Sequence, residues 1–322
     1  MTESKPMRLV FGEMLRELGK EIPGLVVLDA DVSSSTQTKL FAEKYPERFF
    51  NFGIAEANMV SAAAGMAAGG LIPVASTFAF LLTLRAGDPV RSLIAYNSLN
   101  VKLAGGYAGL SDFADGASHQ SVMDIAVMRA MPNMTVLVPS DIETTRGAVR
   151  AMLKYKGPVY LRLSRDQAGS LHGGNESFEI GKAKEMKDGS DVTLAVCGTL
   201  LDQTLEAAED LEKEGISAAV VEFPTIKPLD QDALIRFAGK TGAVVSIEEH
   251  TVNGGLGGAI AECLSERRPA LLRRIGLQDT FGESGSYGGL LKKHHLTASH
   301  IAETAKQIIS MKGAKKDERI HG

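Results

Sequence analysis

Apolar residues fall into two rhythms that alternate along the chain. Leu9, Met14, Leu15 and Leu18 recur at helical spacing between Met7 and Lys20, and Pro23-Gly24 ends that segment. Leu25 to Leu28 then forms an unbroken apolar run of strand length, leading into Asp29-Ala30-Asp31 and the hydroxyl run Ser33 to Thr36. A strand is predicted near Phe49 to Phe52, an alanine-rich helix from Ala55 to Ala68, a strand at Ile72 to Ala75 and a helix over Leu81 to Ile94. Val101 to Ala104 reads as a strand that feeds the long glycine-rich loop Gly105 to Gln120, and long loops without periodicity tend to carry function. Helix Met123 to Met131, strand Thr135 to Val138, helix Ile142 to Lys154 and strand Pro158 to Ser164 complete the first half.

Between Asp166 and Gly189 the apolar density drops while Gly, Ser and charges rise, so a boundary is expected there. The alternation restarts with strand Val192 to Val196, helix Leu201 to Lys213, strand Ala218 to Glu222, helix Gln231 to Lys240, strand Ala243 to Glu248 and helix Leu256 to Leu264. Ile301 to Ile309 reads as a closing helix. The pattern predicts an α/β protein with two doubly wound domains, mostly parallel sheets with helices on both faces. The expected divisions are a first domain over 1–170, a linker over 171–189, a second domain over 190–311 and a flexible charged tail over 312–322. No repeat period recurs, which excludes a solenoid.

Composition narrows the function. Lys and Arg number 35 against 39 Asp and Glu, a formal net charge of -4 with no basic block in the body of the chain, so nucleic acid is not an expected partner. Two cysteines, Cys197 and Cys263, form no CxxC pair and support no disulfide framework, and residues 1–8 hold no apolar run of a secretory signal; a cytoplasmic setting is expected. Ala57 to Leu84 carries no formal charge, long enough to cross a bilayer, but Gly69, Gly70 and Pro73 interrupt it. A packed small-residue helix followed by a buried strand accounts for it, and no membrane is expected.

Motifs for GxSxG, HExxH and the P-loop are missing. The glycine cluster from Asn253 to Gly258 sits at a strand-to-helix turn, where backbone N–H groups either receive an anion or the glycines let helix and sheet pack closely. Glu56 opens the apolar helix. It reads either as a partner of the helix dipole or as a carboxyl whose pKa rises beside a charge-free helix, suited to sharing a proton with a weak nitrogen base. Asp115 and His119 stand at i and i+4 in the long loop, as a loop hydrogen bond or as a working pair. Arg165, at the end of a strand, and Arg8, at the head of the first helix, are either solvated or clamp a phosphate through paired N–H donors.

In order and spacing, Ile54-Ala-Glu56-Ala-Asn, Ser76-Thr-Phe78, Asp115-Gly-Ala-Ser-His119-Gln120 and Leu163-Ser-Arg165 resemble the pyrimidine-binding part of the transketolase family, and Glu248-Glu-His-Thr-Val-Asn-Gly-Gly255 resembles its C-terminal domain. The resemblance implies a thiamine diphosphate-binding fold followed by a transketolase C-terminal domain. It implies thiamine diphosphate shared with a partner, because the family's first domain holds the diphosphate and a Mg or Ca ion through a GDG motif absent here. The chain is thus similar to the C-terminal subunit of a split transketolase, pairing with an N-terminal subunit and with its own copy in an α2β2 heterotetramer. Such an enzyme moves a two-carbon ketol unit from a ketose phosphate to an aldose phosphate.

By the same resemblance Glu56 holds a ring nitrogen of the cofactor's aminopyrimidine, Phe78 lines the ring's slot, and Asp31 lies beside the cofactor. The family's second slot aromatic falls on Leu81, so Phe80 is the other candidate for stacking. His119 and Asp115 match residues that contact the sugar near its reacting carbon, with His119 taking part in catalysis. Arg165, Arg8 and Ser35 match residues that bind the sugar's phosphate, and Tyr107 stands where the family has a second substrate histidine. The alternatives are the beta subunit of a 2-oxo acid dehydrogenase, whose uncharged lipoyl acceptor needs no phosphate clamp, and a non-catalytic nucleotide-binding subunit.

Overall fold

A computed structural model describes residues 4–174 and 178–320, and for 313–320 the backbone alone. The first half runs through α1 (Met7–Leu18), β1 (Leu25–Asp29), β2 (Phe49–Asn51), α2 (Glu56–Ala68), β3 (Ile72–Phe78), β4 (Lys102–Gly106), α3 (Asp124–Ala130), β5 (Thr135–Leu137), α4 (Ile142–Lys154) and β6 (Val159–Arg162). The second follows with β7 (Lys184–Lys187), β8 (Val192–Val196), α5 (Leu201–Lys213), β9 (Ala218–Glu222), β10 (Thr225–Lys227), α6 (Gln231–Thr241), β11 (Ala243–Thr251), α7 (Leu256–Arg267), β12 (Leu271–Leu277), α8 (Tyr287–Lys293) and α9 (Ala298–Ile320). The α/β reading with mostly parallel sheets holds. The larger of two main sheets has the order β10-β5-β6-β4-β3-β1-β2 and the smaller β12-β11-β8-β9-β7, and Lys5–Pro6 pairs with Gln167–Ala168 in a separate two-stranded ribbon. Only β10 against β5 and β7 against β9 run antiparallel within the two main sheets.

Alternation along buried strands feeds both faces of each sheet. Leu25 and Val27 join Phe11, Val74 and Leu161 on one side of the first sheet, while Val26 and Leu28 join Met59, Ala75 and Leu103 on the other. That second layer continues into Ala219, Phe237 and Val244, so the two halves share one apolar layer.

Several elements differ from the sequence reading. The segment expected to be one helix over Leu81 to Ile94 is coiled in wide turns, with Ala86 N–H donating to Leu81 O at 2.9 Å and Tyr96 N–H to Arg91 O at 3.0 Å. Inside the expected linker, β7 pairs with β9, and β10 leaves the second half to pair with β5 of the first. Both strands are too short to carry a period. The closing helix runs on to Ile320, and Lys312, expected to begin a flexible tail, donates to Asp191 O at 2.7 Å and Thr241 O at 2.9 Å. Residues 175–177 of the expected linker, and 321–322 of the expected tail, lie outside the described residues. No helix among the described residues is long and apolar enough to cross a membrane.

A buried charge cluster ties the linker to both halves. His172 Nδ1 meets Asp141 Oδ2 at 2.8 Å and its Nε2 meets Glu222 Oε2 at 2.7 Å, while Ser140 Oγ donates to Glu222 Oε1 at 2.6 Å. Burial works against a charged imidazole, but the hydrogen bonds to the two carboxylates outweigh it and raise His172 to about 9. Burial also works to raise Asp141, yet its bonds from His172 and Thr144 bring it to about 2. With a folded value of about 9 above its ordinary 6.5, the stability His172 contributes is full below 6.5 and is lost as pH rises through 9. Replacing His172 with Gln leaves two buried carboxylates facing each other, with an expected loss of about 3–5 kcal/mol at neutral pH. Denaturant unfolding followed across this pH window checks both: the wild type weakens with rising pH more steeply than the variant.

Candidate functional site

Parallel sheets of this kind take ligands at the carboxyl ends of their strands, where the strand order reverses. In the first sheet the chain steps from β1 outward to β2 and returns as β3 on the opposite side of β1. The residues singled out by sequence gather along that edge: Asp31 follows β1, Glu56 follows β2, Phe78 ends β3, Tyr107 follows β4 and Arg165 follows β6.

Glu56 is the first residue of α2 and is 1% exposed. Its surroundings differ from the charge-free setting expected. Arg85 arrives from the wide-turned segment and its Nη1 donates to both carboxylate oxygens, at 3.3 and 3.2 Å. Sequence spacing hid this, because Arg85 is the first charge after the neutral run. Phe78 and Phe80 are half-buried and lie 6.0 and 5.3 Å from the His119 ring, whereas Leu81 is buried. Asp31 is exposed at the edge, in the left-handed region at φ 65°, and exchanges hydrogen bonds with Asn51.

The Asp115–His119 pair does not form. A single tight turn, Gly116–Ser118, separates them; His119 Nδ1 meets Ser118 Oγ at 2.9 Å, and Asp115 lies in hydrogen-bonding reach of Asp112. Arg8 joins Ser35 and Tyr107, donating from Nη1 to Ser35 O at 2.9 Å and to the Tyr107 hydroxyl at 3.0 Å. Tyr107, at φ 59°, stacks on Phe78 at 4.7 Å, and the Arg165 guanidinium stands 5.1 Å from its ring. Two arginines therefore flank one tyrosine.

Three further residues shape this edge without having been given a role by the sequence reading. Asp112 accepts from Arg165 Nη1 at 2.8 Å; its place three residues before Asp115 was the available signal. Glu249, at the end of the second sheet, accepts Leu110 N–H and the hydroxyls of Thr199 at 3.0 Å and Tyr287 at 2.7 Å, pinning the loop from the other half. Burial raises the Glu249 pKa. Arg162 crosses the same boundary, bonded through Nε to Asp124 Oδ2 at 2.8 Å and through Nη2 to Glu249 O at 3.0 Å.

At the glycine cluster both readings meet, because the helix-head N–H groups receive a carboxylate of the chain itself and the glycines give it room. Leu256 N–H and Gly257 N–H, heading α7, donate hydrogen bonds to the Glu248 carboxylate at 2.7 and 2.9 Å, and a Cβ at Gly255 would overlap that carboxylate. No group of three or more His, Cys, Asp and Glu side chains able to hold a metal ion occurs among the described residues. Glu248→Gln is expected to lower stability by about 1–2 kcal/mol through the lost carboxylate at the helix head, read as a fall in melting temperature.

Comparison with known proteins agrees with this architecture. Residues 3–169 match the transketolase pyrimidine binding domain and 181–301 the transketolase C-terminal domain. A 6-deoxy-6-sulfo-D-fructose transketolase subunit of Clostridium sp. (strain MSTE9) is 40% identical over 306 residues, 95% of this chain and 95% of that one. A 1-deoxy-D-xylulose-5-phosphate synthase of Symbiobacterium thermophilum is 36% identical, and there the match spans 93% of this chain but 46% of the relative. A solved structure described as a split gene transketolase, inactive beta4 tetramer, superposes with a TM-score of 0.88 at 45% identity, covering 95% of this chain and 98% of that one.

Proposed function

The chain belongs to the transketolase family, and from that premise we propose that it is the C-terminal subunit of a split transketolase, moving a two-carbon ketol unit from a ketose phosphate to an aldose phosphate. The observation that carries the reading is the nearly sealed Glu56 carboxyl at the switch-point edge of a parallel sheet, the same carboxyl-end edge that carries Phe78, Tyr107 and Arg165. When bound, thiamine diphosphate supplies a carbon acid that adds to the ketose carbonyl and accepts the fragment. The residues present suit its pyrimidine half: a buried carboxyl that can hold a proton against a ring nitrogen, and the Phe78 and Phe80 faces for stacking, with Asp31 at the rim.

Arg85, whose side chain is half in solvent, would have to share or yield the Glu56 carboxylate for a ring nitrogen to reach it. His119 and Asp115 would hydrogen-bond the sugar's hydroxyls and hold its carbonyl in place. Arg8 and Arg165, with Ser35 and Tyr107 between and beside them, would hold the anionic end of the sugar. In the proposal the diphosphate and its Mg or Ca ion are held by an N-terminal transketolase subunit, and two copies of each chain form an α2β2 heterotetramer. The open side of α2, where Ala57, Gly65 and Ala68 are exposed, and the neighbouring Ile54 at 77% and Leu84 at 53% exposure support association along this face. The proposed setting is cytoplasmic, in keeping with two buried free cysteines.

Mixing this chain with an N-terminal transketolase subunit and screening ketose phosphates for aldose release tests the reading. Glu56→Gln in that mixture is expected to cut turnover by about 100-fold or more with the fold kept, as judged by circular dichroism. Retained turnover would remove Glu56 from the mechanism.

A further inference from the structure

The two arginines of the site are not equally free, and Asp112 makes the difference. Its carboxylate is fully buried; Oδ1 accepts from Arg165 Nη1 at 2.8 Å, while Oδ2 is buried with no amide or guanidinium donor on it and has the Asp115 carboxyl as its neighbour. The local turn does not require this side chain, because the Asp112 backbone carbonyl already closes it by accepting Gly116 N–H at 3.1 Å. An ionised carboxylate that lacks a donor on one oxygen and has a second carboxyl beside it is a cost to the fold, so its presence points to work done through Arg165. The Arg165 guanidinium is kept in place by rings on two sides, 5.1 Å from the Tyr107 centroid and 5.3 Å from that of Phe113. Arg8, bonded to Ser35 O and the Tyr107 hydroxyl, has no carboxylate partner among the described contacts. With Asp112 ionised, the Arg165 charge is thus opposed at contact distance while that of Arg8 is not.

This inference rests on the reading of Arg8 and Arg165 as the grip on the sugar's anionic end. We propose that Asp112 is a specificity-determining residue that tempers Arg165, so that sugars ending in a doubly charged group are held less tightly, relative to singly charged or uncharged ones, than two unopposed arginines would hold them. The mechanism is repulsion across a short distance: a dianion docking on the remaining donors of Arg165 approaches the buried negative charge of Asp112 that already holds that guanidinium. A singly charged end feels less of it, and an uncharged end none. Burial and the neighbouring Asp115 carboxyl push Asp112 up to about 6, so assays near pH 8 keep it ionised.

The test uses the reconstituted enzyme near pH 8 with a phosphate-ended sugar, its sulfonate-ended analogue and the uncharged sugar. Asp112→Asn is expected to raise kcat/KM for the phosphate-ended sugar about fivefold or more, through KM, with about twofold for the sulfonate and less than that for the uncharged sugar. In an Arg165→Ala background the same substitution is expected to make no difference among the three, since it acts through that guanidinium. If the Asn variant does not assemble, Asp112→Ser, which is smaller, carries the same expectations. An unchanged or lowered value for the phosphate-ended sugar, or one equal shift for all three, overturns the inference while Arg165→Ala alone still penalises the phosphate-ended sugar most. If Arg165→Ala affects all three sugars equally, the anion grip itself falls, and the inference with it.

Discussion

A carboxylate sealed from water must find its partners inside the protein, and Glu56, 1% exposed, takes its side-chain hydrogen bonds from Arg85. The rest of the site is arranged around that constraint. The head of α2 buries the group beside the switch point of the first sheet, and Arg85 reaches it from the wide-turned segment after β3. Arg85 itself is half in solvent, so the pair has one fixed member and one that can leave. A ring nitrogen arriving at Glu56 would replace a guanidinium, exchanging an ion pair for a shared proton.

The second half of the chain carries no candidate catalytic group, yet it shapes the edge on which they stand. Glu249 takes the Leu110 N–H, and Arg162 bridges Asp124 to the Glu249 carbonyl, so the loop that bears Asp112, Asp115 and His119 is fastened from across the boundary. The His172 cluster and the β10–β5 pairing add two more ties. These bonds are buried, and together they fasten the loop to both halves of the chain.

How much of this the sequence announced follows from the length of each signal. Strands such as Leu25–Asp29 and Val192–Val196, buried on both faces, and helices such as Ile142–Lys154, with a full apolar stripe, were legible because five or more consecutive positions agree. Lys184–Lys187 and Thr225–Lys227 were not, since half-exposed and three-residue strands leave no pattern, and their partners are distant in sequence. The site's residue types were readable, but not their pairings. Arg85 escaped notice because a neutral run was read for what it contains, not for the charge that ends it. Asp115 and His119 are spaced as helical neighbours, but the loop is not a helix, and Gly116 at φ 75° turns them to different partners.

The central claim is that Glu56 controls a proton on thiamine diphosphate. Exchange of the cofactor's thiazolium C2 proton for deuterium, followed by NMR in the reconstituted pair, measures that control without any sugar present. The account expects exchange in the wild-type pair to exceed that in either chain alone, and in a Glu56→Ala pair that still binds cofactor, by about 100-fold or more. Equal exchange rates in the wild-type and Glu56→Ala pairs would contradict it.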